Sequence, residues 1–246
     1  MEKIIIIGSE LFKNFPGLIF GFSTKPGGVS KPPLNLNLSY SVGDIDENVK
    51  ANRRLFFNEL NIKEAQITFQ KQIHSSNIFY VSNPGLIEGC DAIYTDRKNN
   101  ILAVSTADCI PVFLYSPEKK VIAGIHAGWK GTHSKIVIKT IEQLKSEFAV
   151  ECKSLMAFIG PGICPEHYEV GCEVAELFDD EVKVKYGDKF KLDLKKENFN
   201  QLISSGLSNS NIEVSGLCTY CEEELFHSYR RDGDKAGRML GIIGMI

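Results

Sequence analysis

Three short blocks hold the residues best equipped for chemistry: Gln72-Ile73-His74, Thr106-Ala107-Asp108-Cys109 and His126-Ala127-Gly128-Trp129-Lys130-Gly131. Two imidazoles and one thiolate are borderline-soft donors suited to zinc. Three protein ligands with a fourth position open is the pattern of a catalytic rather than a structural zinc. Asp108, next to Cys109, is placed to orient a ligand imidazole. The spacings, 35 residues from His74 to Cys109 and 17 from Cys109 to His126, match no local zinc motif. The residues alone therefore leave three readings open: a metal centre, a nucleophilic Cys109 with His126 or His74 as base, and ordinary core or surface residues.

Other segments carry weaker signals. Gly128 and Trp129 suggest a tight strand-to-helix turn, which either offers backbone N–H groups to an anion or is a plain connection. Gly160-Pro161-Gly162-Ile163-Cys164-Pro165 is a rigid loop that lacks both GxxxxGK[ST] and GxGxxG, so no nucleotide cofactor follows. Glu166, His167 and Tyr168 after it suit binding and surface roles equally. Cys218 and Cys221 form a CxxC, but a zinc ribbon needs a second pair, and Cys164 and Cys172 are too far apart to supply it. Glu222–Glu224 would raise these thiol pKa values, so the CxxC reads as incidental thiols at a helix start. Arg230 and Arg231 sit near a turn and suit either an anion clamp or a salt-bridged surface.

The elements that must position these residues are of both kinds. Runs rich in Val, Ile, Phe and Tyr predict strands at Ile4–Ile7, Leu18–Thr24, Gln66–Gln70, Ile78–Val81, Asp91–Thr95, Ile101–Thr106, Pro111–Tyr115, Val121–His126, Ser154–Gly160, Ile212–Leu217 and Met239–Ile243. Leu34, Leu36 and Leu38 alternate as a short strand would. Helical spacing of Val49, Arg53, Phe56, Phe57 and Leu60 predicts a helix over Asp46–Leu60, capped by Asp44 or Asp46. Further helices are expected at Thr132–Phe148, Gly171–Phe178, Lys195–Ser205 and Tyr220–His227. Helices do not alternate strictly with strands. The expected fold is therefore α+β, a single domain over residues 1–246 with mixed β-sheets flanked by helices.

The composition fits that size and class. The 246 residues are 43% apolar and 24% charged, which excludes extensive disorder and fibrous repeats. Lys plus Arg total 28 against 31 Asp plus Glu, a net charge of −3 with no footprint for nucleic acid or an anionic membrane. Apolar runs such as Ile4–Ile7 are far too short to span a bilayer. Gly8, Ser9 and Glu10 interrupt the only candidate secretion signal. Seven scattered cysteines, an odd number, suit a reducing cytoplasm. Nothing in the residues signals an oligomeric state.

Taken in order, the blocks resemble the polyphenol-oxidase-like (laccase-domain) family, also called peptidoglycan editing factors, whose members act as zinc-dependent purine nucleoside phosphorylases. The carriers are Ser23-Thr24-Lys25-Pro26-Gly27-Gly28-Val29-Ser30, Val42-Gly43-Asp44, Glu47-Asn48, Asn52-Arg53-Arg54, Gln72-Ile73-His74, Asp91-Ala92 and Thr106-Ala107-Asp108-Cys109-Ile110-Pro111. They continue with His126-Ala127-Gly128-Trp129-Lys130-Gly131, Ile159-Gly160-Pro161, Tyr168-Glu169-Val170-Gly171 and Ser228-Tyr229-Arg230-Arg231-Asp232-Gly233. The resemblance spans about Gly21 to Ile243. It implies zinc held by His74, Cys109 and His126, which are also the catalytic candidates. It further implies phosphorolysis of adenosine, inosine and methylthioadenosine, and an adenosine deaminase side activity. Purine nucleosides and phosphate are the expected partners, with Lys25, Asn37, Arg53, Arg230 and Arg231 the substrate-binding candidates. Lys25 stands where the family usually carries Arg, replacing a planar fork by a point charge.

The family's older name meets an arithmetic objection. A multicopper oxidase needs a His/His/Cys copper plus a cluster held by many further imidazoles. This chain has five His, three of them (His133, His167, His227) outside the triplet. Copper remains an ion the triplet itself would accept, since copper outcompetes zinc at most sites. A copper-dependent polyphenol oxidase and a cysteine hydrolase editing peptidoglycan precursors through Cys109 are the alternatives to the phosphorylase.

Overall fold

The computed structural model describes residues 3–246. In chain order the first elements are β1 (Ile6–Ile7), β2 (Leu18–Ser23), α1 (Asp46–Glu59), β3 (Ile67–Lys71), β4 (Ile78–Tyr80) and β5 (Gly85–Glu88). The central run is β6 (Ala92–Thr95), β7 (Ile101–Thr106), β8 (Ile110–Ser116), β9 (Val121–Ala127), α2 (Trp129–His133), α3 (Ile136–Phe148) and β10 (Met156–Ile159). The last third adds β11 (Glu169–Val170), α4 (Cys172–Ala175), β12 (Lys183–Tyr186), β13 (Lys189–Leu192), α5 (Leu194–Ser204), β14 (Ile212–Val214), α6 (Tyr229–Asp232) and β15 (Met239–Met245). The fold is α+β, as expected.

Two six-stranded sheets form the centre, ordered β1-β2-β15-β7-β3-β5 and β14-β10-β8-β9-β6-β4. Both mix parallel with antiparallel pairs: β3 runs parallel to β5 and β7, and β4 to β6, while β8 and β9 form a long antiparallel pair. Period-two alternation along β7 sorts its side chains. Leu102 and Val104 point between the sheets toward Phe113, Phe158 and Ile243, while Ile101 and Ala103 pack under α1 with Phe56 and Phe57. On the far side, Val121, Ala123 and Ile125 of β9 meet Ile136, Val137, Ile141 and Leu144 of α3. The result is a helix–sheet–sheet–helix stack. The sheets approach closely at Gly241, where a Cβ would fall 2.5 Å from the Phe113 ring.

Several expectations need correction. The Leu34–Leu38 stretch forms no strand, although Leu36 and Leu38 are buried against α1. Asp44 does not cap α1, which starts after Ile45 without a side-chain cap. Its carboxylate instead accepts Ser30 Oγ, Asn37 Nδ2 and the Ile45 N–H. The helix expected over Thr132–Phe148 breaks into α2 and α3 at Lys135, whose φ is +60°. No helix forms over Tyr220–His227. Carbonyls that a helix would use internally point elsewhere: Arg231 takes those of Thr219, Tyr220 and Phe226, and Lys25 takes those of Glu223 and Leu225. The third sheet, β11-β13-β12, was not anticipated, because its alternating Lys residues mask a hairpin turning at Gly187. That alternation, Lys-Val-Lys-Tyr-Gly-Asp-Lys-Phe-Lys-Leu, was the available signal.

A candidate metal centre at the sheet ends

His74 follows β3, Cys109 sits in the turn between β7 and β8, and His126 lies near the end of β9. Adjacent strands thus bring together residues far apart in the chain. The ligating atoms of all three lie within 4.8 Å of one another. Cys109 Sγ is 3.9 Å from His74 Nε2, and the two imidazoles meet edge to face with centroids 4.9 Å apart. His74 is exposed, Cys109 half-buried and His126 buried, so the group opens to solvent on one side. Gly128 passes directly over it. A Cβ there would stand 3.1 Å from both the Cys109 sulfur and His74 Cδ2, so any side chain at this position would crowd the donors.

Two carboxylates hold the group in place. Asp91, fully buried, accepts His126 Nδ1 at 2.8 Å, the N–H groups of Ile73, His74 and Ser75, and the Ser75 hydroxyl. It fixes the ring of one ligand and the loop of another, and offsets the cost of the left-handed backbone at His74 (φ +58°). Asp108 does not orient an imidazole, contrary to expectation. It accepts Thr219 Oγ1 at 2.7 Å and the Arg230 N–H at 2.6 Å, anchoring the turn before Cys109, where Asp108 itself has a φ of +91°. The orienting carboxylate is thus 35 residues from His126 in sequence, out of reach of any neighbour-based argument.

The electrostatics follow from these contacts. Burial raises the Asp91 pKa, but hydrogen bonds from His126 and Ser75, with the imidazole's charge, outweigh it and bring the group down to about 2. Burial also opposes charge at Cys109 and His126, yet each favours the other's ionised form. The thiol comes down to about 6 and the imidazole, helped by Asp91, rises to about 9. A thiolate beside two imidazoles, with His126 giving up its Nε2 proton on ligation, is a fitting donor set for a borderline-soft cation.

The group forms one wall of an open cavity of about 810 Å³, whose other walls include Arg53, Phe69, Tyr229 and Arg238. Arg53, on α1, is sandwiched between the Tyr40 and Phe69 rings and bonded to Leu38 O and Glu64. The remaining substrate-binding candidates do not line this cavity. Lys25 Nζ is bonded to Glu223 O. Asn37 is buried, linking Ser39, Asp44 and the Arg238 N–H. Arg230 reaches the carbonyls of His167 and Glu169 and lies over the Tyr168 ring. Arg231 is consumed by three carbonyls and Asp232. Arg238, which sequence reasoning did not select, is the second cavity arginine. Its position just before β15, at the mouth of the sheet, was the missed signal.

Residues 19–246 match the family described as multi-copper polyphenol oxidoreductase laccase, and the chain belongs to that family. It is 36% identical to the purine nucleoside phosphorylase YlmD of Bacillus subtilis (strain 168), across 95% of this chain and 90% of that protein. It is 34% identical to the purine nucleoside phosphorylase YfiH of Escherichia coli (strain K12), across 91% and 92%. The crystal structure of YlmD from Geobacillus stearothermophilus superposes with a TM-score of 0.91 at 33% identity, covering 97% of this chain and 94% of that one. Among the described residues no helix is long and apolar enough to cross a membrane.

Proposed function

We propose that this protein is a purine nucleoside phosphorylase whose His74, Cys109 and His126 hold one catalytic zinc, with adenosine deamination as a side activity. The observation that carries the reading is the sharing of one cavity by a three-donor group and two arginines, Arg53 and Arg238. The names of the relatives point the same way. Adenosine, inosine and methylthioadenosine are the proposed substrates, with phosphate as co-substrate. The seven free thiols accord with a reducing, cytoplasmic setting.

In phosphorolysis a phosphate oxygen bonds to the ribose C1′ as the C1′–N bond to the purine breaks. Free base and ribose 1-phosphate result. A bound zinc would supply Lewis acidity at the cavity wall, through the coordination position its three ligands leave open. Asp91 keeps a proton on His126 Nδ1, so that Nε2 faces the thiol and the cavity. Arg53 and Arg238 provide the cationic surface for phosphate, and Arg53 is held rigid between two rings. Tyr229, half exposed at the cavity edge, offers a flat face to the purine.

A second reading has an observation of its own, because Asp91, His126 and Cys109 are also arranged as a carboxylate–imidazole–thiolate relay. His74 argues against it. A second imidazole on the thiol has no task in such a relay but completes a three-ligand set. Incubation with adenosine, with and without phosphate, decides. Phosphate-dependent adenine release that Cys109→Ala abolishes together with about one equivalent of zinc supports the phosphorylase. A zinc content left unchanged by Cys109→Ala, or turnover in a zinc-free chain, overturns the metal assignment.

A further inference from the structure

The CxxC of Cys218 and Cys221, read from sequence as incidental thiols, meets a partner from another loop. Cys164 Sγ lies 3.8 Å from Cys221 Sγ, and these two sulfurs and a ring nitrogen of His167 are mutually within 4.8 Å. Cys218 Sγ accepts the Cys164 N–H at 3.2 Å, and the backbones pair where Gly162 bridges to Cys218 and Thr219 N–H donates to Gly162 O. The His167 ring stacks on Tyr220, inside the CxxC, with centroids 4.1 Å apart.

We propose that Cys164, Cys218, Cys221 and His167 form a second, structural zinc site, separate from the cavity centre, that staples the 160–168 loop to the loop that leads into α6. Three thiolates and one imidazole make up a common closed tetrahedral set for zinc. The Cys164 N–H aimed at the Cys218 sulfur favours its thiolate form, as ligation requires. Cys221 is exposed and gives a cation an entry path.

The staple has a mechanical consequence. Both loops hold the turn that carries Cys109: Ile163 N–H donates to Asp108 O, while Thr219 Oγ1 and Arg230 N–H donate to the Asp108 carboxylate. A cation binding the two loops therefore braces the catalytic wall without touching substrate. The inference does not depend on the phosphorylase reading.

The test uses the full chain, reduced and stripped of metal under anaerobic conditions. Cobalt(II) added to the Cys109→Ala chain, whose cavity centre is disabled, should give about one bound ion with a strong thiolate-to-cobalt charge-transfer band. Adding Cys221→Ser should weaken or remove that band. No band in Cys109→Ala, or one unchanged by Cys221→Ser, overturns the site. The unmutated chain supplies an independent readout free of folding artefacts. Excess zinc should slow iodoacetamide labelling of Cys221, read by peptide mass, about tenfold or more. Equal labelling with and without zinc overturns the proposal, as does a Cys164–Cys221 disulfide that persists in reductant and excludes the metal.

Discussion

The cavity centre and the Cys164–Cys221 cluster use the same donor chemistry on different supports. His74, Cys109 and His126 stand at the ends of hydrogen-bonded strands, and Asp91 fixes both an imidazole and a whole loop. The second cluster lies outside the two large sheets, on segments joined by one isolated backbone bridge, a ring stack, the Cys164 N–H bond to the Cys218 sulfur and the reach of Arg230 to the His167 carbonyl. The first is organised by the protein before any ion arrives. In the second the ion does much of the organising. Rigid support suits a site that must keep a coordination position open, and a loose one suits a staple.

The largest effect should come from removing the support of the first centre. Asp91→Ala leaves the N–H groups of Ile73, His74 and Ser75 and the His126 ring without their acceptor. Zinc affinity should fall roughly 10–100-fold, and unfolding stability by about 3 kcal/mol. Chelator competition and denaturant titration measure the two. Cobalt binding at the second cluster should be unaffected, and a loss there would mean that the sites are not independently supported.

Next in size is the staple itself. In the Cys109→Ala chain, zinc at a hundred times its Kd should still raise unfolding stability by about 2.7 kcal/mol, seen as a rise in Tm that Cys221→Ser removes. An unmoved Tm would mean that zinc does not bind the folded chain at this cluster in preference to the unfolded one.

The cavity arginines come third. Arg53→Ala should raise the phosphate requirement of adenine release by about 10–100-fold, the worth of charge-assisted bonds of about 1.5–3 kcal/mol, and leave deamination nearly intact. Arg238→Ala is the companion measurement. An unchanged phosphate dependence in the Arg53 variant would reduce that residue to a brace between Tyr40 and Phe69.

A pH-dependent effect concerns an imidazole that belongs to neither cluster. His227 is buried, its Nε2 has no partner among the described residues, and Gly237 packs so tightly on it that a Cβ would fall 2.6 Å away. Burial, reinforced by the positive charge of Lys25, lowers its pKa from 6.5 to about 3. The unfolded chain therefore takes up a proton below pH 6.5 that the folded chain refuses. Stability should be full above that pH and fall by up to about 1.4 kcal/mol per pH unit as pH drops toward 3. Unfolding at pH 7 and pH 4 should show a steeper decline for the native chain than for His227→Leu, and parallel declines would assign the acid sensitivity elsewhere.

Sequence alone carried the donor chemistry and the elements that deliver it. His, Cys and His after apolar runs, the period-two alternation of the central strands and the helical spacing of Val49, Arg53, Phe56 and Phe57 all sit in contiguous residues, where local sterics and burial leave their mark. The tertiary structure decided every pairing across the chain. It gave the His126 ring to Asp91 rather than Asp108, the cavity to Arg238 rather than Lys25, and a neighbour, Cys164, to a CxxC that reads from sequence as incidental thiols. It also turned the Tyr220–His227 carbonyls outward to Arg231 and Lys25. Spacing along the chain carries no record of which loops meet when two sheets stack. That depends on strand order and on the packing between the sheets, which involve residues more than a hundred positions apart.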